Sequence, residues 1–199
     1  EMSSVLATAA PTMLRWVYDS ASPLDQMVSA PSGDGYFLPS KHPNTQALAE
    51  RTASVMADTD MRVVVVLDAE GDLSSCDAFT AQPGIDGVVY KDWADYNMRQ
   101  GELRWSNGKP IFAIRHLLWN NGASQDSPAG IAAAVNAAPK APKADIASYS
   151  IVNIHAWSEW PDNPHGTGAT AAAKWTIEQF ADHVRVVNVE ELLMHLTQN

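Results

Sequence analysis

The sequence predicts an α/β fold with a mostly parallel sheet, on three observations. Apolar runs suited to strands alternate with segments of helical period along its length. Residues 63–66 are consecutive valines, the mark of a strand buried on both faces. Carboxylates and aromatic residues recur just after the strand runs, where parallel α/β folds gather their chemistry.

Taken in order, Pro11 with Met13, Leu14, Val17 and Tyr18 predicts a first helix, the proline standing in its first turn. "DQMVSAPS" is a short strand. "NTQALAERTASVMADTD" sets Leu48, Val55 and Met56 on one helical face, ahead of the valine strand at 61–68. "GVVYKD" (87–92) is the next strand, followed by a short helix around "WADYNMRQGEL". "KPIFAIRHLLW" (109–119) reads as one longer strand. Ser127 and Pro128 supply an N-cap and first-turn proline for "AGIAAAVNAA". A strand at 147–157, the helix "TAAAKWTIEQFADH" and a last strand at 184–189 follow. Asn188 with Glu191 makes a capping-box-like start for the final helix.

About six strands interleaved with helices generate a parallel α/β sheet. An eight-stranded barrel usually needs roughly 250 residues. The 199 residues therefore fit an open doubly wound sheet or a partial or reduced (β/α) barrel, and we expect the barrel-like form as a single α/β domain over 1–199. No repeat or low-complexity tract stands out.

Composition narrows the partners. The chain is 46% apolar and 18% charged, as a globular domain is. A net charge of −10 and the lack of any basic run argue against nucleic acid or an anionic membrane. Lys140 and Lys143 lie in an Ala/Pro-rich connector. The single cysteine, Cys76, excludes an intramolecular disulfide and a multi-cysteine metal site. No apolar run reaches membrane-spanning length and no signal-peptide pattern is present. The start at Glu1 leads us to expect processing or truncation.

The strand ends carry Ser32, Gly33, Asp34, Gly35 and Tyr36; then Asp68 to Glu70; then Lys91, Asp92 and Trp93. They continue with Arg115, His116 and Trp119, and finish with Asn153, His155, Trp157, Ser158, Glu159 and Trp160. A sugar site needs these types. Carboxylates protonate a leaving oxygen and attack or activate water, flat rings cover a sugar face, and Arg, Asn or His bind hydroxyls. The glycines allow a sharp turn and a close approach to a ligand, Tyr36 faces the cleft, and Pro39 stiffens the loop's exit.

Each residue has a plainer reading. Most tryptophans are core, so Trp93, Trp119, Trp157 and Trp160 divide between core and ligand contact. His155 shares a strand face with Asn153 and Trp157, and serves either as a satisfied core histidine or at the site. Asp68 is a catalytic carboxylate or a helix N-cap. Glu159 lies in a polar loop where solvation is the simpler account.

Other chemistries fit less well. "SGDG" lacks the Lys-Ser/Thr of a phosphate loop and the third glycine of a dinucleotide fingerprint. No G-x-S-x-G surrounds Ser32 or Ser158. "DAEGDLSSCD" lacks calcium-loop spacing, and the histidines lack zinc spacing, so no metal and no cofactor is expected.

"GDGYFLP" (33–39) resembles the motif that names the GxGYxYP family of glycoside hydrolases, with Leu38 where the motif has its second tyrosine. "GVVYKDWADY", "GELRWSNGKPIFAIRHLLW", "IVNIHAWS" and "VRVVNVEELL" extend the resemblance across most of the chain. Gly33, Gly35, Tyr36 and Pro39 carry over by motif, while Asp34 holds a variable position. The resemblance implies a barrel-type carbohydrate-processing domain, the C-terminal part of a longer and often bacterial polypeptide, secreted or in the cell envelope.

The expectation is thus a glycoside hydrolase acting on a carbohydrate, with a carboxylate pair drawn from Asp34, Asp68, Asp92 and Glu159. Gly33, Gly35, Tyr36, Arg115, His155, Trp157 and Trp160 would bind substrate. The alternatives are a non-catalytic carbohydrate-binding module, a metal-dependent deacetylase using His155 with Asp68, and a structural fragment completed by an N-terminal domain.

Overall fold

Valines 63–66 do form a buried strand, and the first half of the fold is assembled around it. The computed structural model describes residues 7–29, 31–69, 72–120 and 127–197, so Glu70 lies outside the described residues. The chain groups into two units, one from Glu1–Ala94, Leu103–Phe112 and Val187–Asn199, the other from Asp95–Glu102 and Ala113–Val186.

In the first unit, β1 (Val63–Asp68) pairs in parallel with β2 (Gly87–Asp92), register Val63↔Gly87 through Asp68↔Asp92. The sheet order is β1-β2-β4-β3, with β3 (Leu103–Ser106) antiparallel to β4 (Lys109–Ala113). Helix α1 (Pro11–Ser20) begins with its proline as expected but buries only Leu14. Helix α2 (Thr45–Asp58) is capped by Asn44, whose side chain accepts from the Ala47 N–H, and buries Leu48, Ala49, Thr52 and Met56. A 3-10 turn (Leu73–Cys76) and the short α3 (Asp77–Thr80) lie between β1 and β2 in the chain. The last helix, named α6 below in chain order (Val189–Thr197), buries Leu192, Leu193 and Leu196. Each buried Val or Leu contributes roughly 1.5–3 kcal/mol relative to exposure. The Asn188 side chain accepts the Glu191 N–H at 2.9 Å, the cap that the sequence predicts.

On the far edge of β1 the predicted strand 25–32 is reduced, among the described residues, to one bridge, Ser29↔Val64. Pro31 has no N–H to give a ladder. The Ser32 side chain stands in for backbone: its Oγ accepts from the Leu67 N–H and donates to the Leu67 carbonyl, both at 3.1 Å. Ser32 and Gly33 then adopt φ of 56° and 89°, which swings the chain off the sheet.

The second unit holds a βαβ arrangement. β5 (His116–Leu118) and β6 (Val152–Ile154) pair in parallel, joined through α4 (Pro128–Ala137), whose Ser127 cap and leading proline match expectation. Helix α5 (Ala169–Ile177) completes it, and Leu118, Ile131 and Ala172 form the buried centre.

The α/β class with mostly parallel pairing is therefore observed, and neither ladder closes on itself among the described residues. Three elements differ from expectation. Residues 184–188 form no strand, because β-branched residues favour an extended chain but a strand needs a ladder partner, and none of these is fully buried. Residues 93–102 are turns rather than a helix, ending on positive φ at Gln100 and Gly101. The run 109–119 breaks after Ala113, so β4 and β5 belong to different ladders. The β3–β4 hairpin is an element beyond those expected. Asn107 and Gly108 both take positive φ, 52° and 73°, the backbone of a type I′ turn.

A side chain on Gly33 would have its Cβ 2.2 Å from Thr52 Oγ1, whereas Gly108 has nothing within 4 Å. Both have positive φ. Gly33→Ala should thus destabilise the protein by roughly 2–4 kcal/mol and Gly108→Ala by about 1 kcal/mol. Urea unfolding of both variants checks the difference, and equal losses would show that Thr52 yields freely.

Candidate functional site

In the first unit, the parallel register places Asp68 and Asp92 side by side at the C-terminal ends of β1 and β2. Both point to the same face, since paired residues of neighbouring strands share an orientation. Asp68 is 1% exposed. Its Oδ1 accepts from the Ser40 hydroxyl and the Ala69 N–H, and the Ser40 N–H lies 3.2 Å from both carboxylate oxygens. This grip holds the 3-10 turn Pro39–Lys41 against the strand end. The Asp68 carbonyl accepts from the Trp93 N–H at 2.9 Å. Trp93 meets Tyr36 edge to face, ring centroids 6.0 Å apart, and both rings are about half exposed.

The structure thus brings Asp68, Asp92 and Trp93 together at the strand ends, with Tyr36 against Trp93. Asp34 is engaged elsewhere, bound 2.7 Å from Arg51 of α2, with its N–H on Thr52 Oγ1. The motif glycines make close contacts within the protein. Thr52 fills the space beside Gly33, and the Phe37 ring fills that beside Gly35.

The second unit presents a group of stacked rings. The Trp119 and His155 rings stack with centroids 3.9 Å apart and planes nearly parallel, at 11°. Tyr96 stacks 5.8 Å from Trp119 at 14°, and Trp157 leans on His155 at 4.9 Å and 51°. His155 Nδ1 accepts the Trp157 N–H, which fixes the neutral ring's proton on Nε2. Trp157 is 75% exposed and offers a free indole face. Tyr96 is the member that sequence reasoning missed, because it sits in a turn with no periodic signal.

The remaining candidates in this unit make contacts outside the ring group. Arg115 donates from Nε to the Tyr149 carbonyl and lies against Gly101, where a Cβ would come within 2.3 Å of its guanidinium. Burial lowers its pKa, opposed by Asp145. Trp160 packs on the Leu118, Ile131 and Ala172 centre. Glu159 is exposed, and its carbonyl accepts from Asn120.

Burial also perturbs Cys76 and Lys91. The Cys76 thiol is raised and inert as a nucleophile at neutral pH. The Lys91 ammonium is pushed down from 10.5 to about 8. Among the described residues no cluster of three or more His, Cys, Asp or Glu could hold a metal ion, and no helix is long and apolar enough to cross a membrane.

A family model described as "GxGYxYP putative glycoside hydrolase C-terminal domain" matches residues 1–197. A crystal structure described as a putative hydrolase from Bacteroides thetaiotaomicron VPI-5482 is similar over 99% of this chain, with TM-score 0.85 and 24% identity. That likeness shows the fold. The chain spans 38% of the length of that protein's chain. No match is found among curated proteins.

Lys91 gives a pH test. Between about 8 and 10.5 the unfolded chain keeps a proton that the folded chain has released, so stability rises with pH across that window. Below it the cost of the buried charge is fully present. Lys91→Met should raise stability at pH 7 and flatten the rise, as followed by urea unfolding from pH 7 to 10. An unchanged slope in the variant would assign the rise to other groups.

Proposed function

Given that the chain belongs to the GxGYxYP putative glycoside hydrolase family, we propose that it hydrolyses a glycosidic bond at the ends of β1 and β2. The observation that carries this is the in-register pair Asp68↔Asp92 beside the exposed Trp93. Neighbouring strands lie ~4.7–4.9 Å apart, which supports the short carboxylate separation of a retaining site, ~5–5.5 Å, over the wider inverting one.

The roles follow from the contacts. Oδ1 of Asp68 takes the Ser40 hydroxyl and the Ala69 N–H, while Oδ2 only shares the Ser40 N–H, which makes Oδ2 the less engaged oxygen and the one to face a reacting carbon. Asp68 is the charged partner and Asp92 the acid that protonates the leaving oxygen and later takes a proton from water. Trp93 and Tyr36 supply an apolar edge and face for the sugar ring. Asp34 and Glu159 take no part, since one is tied to Arg51 and the other is solvent-exposed.

A second reading, a carbohydrate-binding module without turnover, draws support from the exposed Trp157 and the ring group beneath it.

A hydrolysis screen on aryl glycosides and mixed oligosaccharides tests both. Asp92→Asn should lower kcat/KM at least ~100-fold, while Asp34→Asn and Glu159→Gln stay within about threefold of the parent. Full activity in Asp92→Asn would defeat the assignment. Glycan binding without turnover, lost in Trp157→Ala, would establish the second reading.

A further inference from the structure

We propose that the first unit carries a separate subsite for a neutral, hydroxyl-rich ligand, a sugar ring, in the cleft between the Pro39–Lys41 turn and the Leu73–Cys76 turn. This rests on the carbohydrate reading above and adds a place that the strand-end pair does not occupy. The cleft measures about 520 Å³, within the range of small-molecule sites. Ser40, His42, Thr45, Asp72, Ser74 and Ser75 line it.

The ligand class follows from which hydrogen-bonding atoms these groups have already committed. The Ser40 hydroxyl gives its proton to Asp68, and the Thr45 hydroxyl gives its proton to the Pro39 carbonyl. Both oxygens therefore present only lone pairs to the cleft. The Asp72 carboxylate is an acceptor as well, holding the Ser74 N–H at 2.7 Å. His42 has the opposite character. Its Nδ1 accepts from the Asn44 N–H, so the neutral ring carries its proton on Nε2 and donates from there. Ser75 Oγ is buried and lies within hydrogen-bonding reach of the Cys76 thiol, so it is not counted among the groups open to a ligand.

A carboxylate offers only acceptors and a phosphate offers mostly acceptors with negative charge, so either would confront the Ser40 and Thr45 lone pairs and the Asp72 charge. An ammonium offers only donors and would leave the His42 N–H facing another hydrogen. A hydroxyl both donates and accepts, so a row of hydroxyls satisfies the whole wall. Ser40 also couples the cleft to the strand end, because the hydroxyl that would receive a ligand O–H is the one that grips Asp68.

Saturation-transfer NMR on the full chain with glucose, galactose and N-acetylglucosamine, together with amide shifts of Ser40, Thr45 and Ser74, tests the assignment. Ser74→Trp fills the cleft from an exposed position and should weaken apparent Kd by about tenfold or more. His42→Ala removes one donor and should cost about fivefold. Trp93→Ala should leave these amide shifts in place, and the melting temperatures of the variants report on folding. Inorganic phosphate and methylammonium should not move the three amides. Sugar-induced shifts that persist in Ser74→Trp, or a response to phosphate or methylammonium that exceeds the response to sugar, would overturn the subsite. Sugar binding lost in Trp93→Ala but intact in Ser74→Trp would overturn the subsite and keep the strand-end reading. Absence of any sugar binding or hydrolysis would overturn both.

Discussion

The hold of Ser40 on Asp68 is the constraint from which the candidate site follows. A carboxylate that is 1% exposed must find donors, because an unpartnered buried charge costs several kcal/mol. Asp68 takes them from Ser40 and from its own successor, Ala69. That forces residues 33–41 to fold back over the end of β1, and the Pro39–Lys41 turn is the result. Ser32 fixes where the detour begins, since its N–H takes the Val65 carbonyl to which Pro31 has no proton to give, and its hydroxyl pairs with both backbone groups of Leu67. Between these two anchors the loop carries Tyr36 to Trp93 on one side and builds a cleft wall on the other. Gly33 and Gly35 each make room for a neighbouring side chain, Thr52 and Phe37 respectively.

What could be read from sequence follows the range of the interactions involved. The valine strand, the Ser127–Pro128 helix start and the Asn188 cap were legible because each depends on a few neighbouring residues. The Asn107–Gly108 hairpin was equally local and was there to be read, since that dipeptide carries the positive φ values a type I′ turn needs. The strand expected at 184–189 fails for a different reason. Valines favour extension, but only a neighbouring strand makes a ladder, and no local pattern reports whether one is present. Arg115 and Trp160 are site candidates by their position after strands. Their packing on Gly101 and on the Leu118 centre is a tertiary fact that spacing does not encode. Asp68 and Asp92 were legible as candidates, whereas their pairing depended on the β1–β2 register.

The electrostatics of the molecule bear on which ligands it can accept. With a net charge of −10, the long-range field disfavours anions before any contact is made. The local groups act in the same direction. The strand ends present two carboxylates, and the cleft presents two hydroxyl oxygens whose protons are spent together with the Asp72 carboxylate. Surfaces so rich in acceptors call for a ligand that brings donors without bringing negative charge. A simple cation would meet that demand at the carboxylates but would clash with the His42 N–H and would gain little from the Tyr36–Trp93 pair beyond its π-faces. A sugar meets it throughout, with hydroxyls for the acceptors and ring C–H groups for the aromatic edge. The carbohydrate reading therefore rests on the proton inventory of the walls as much as on the family to which the chain belongs.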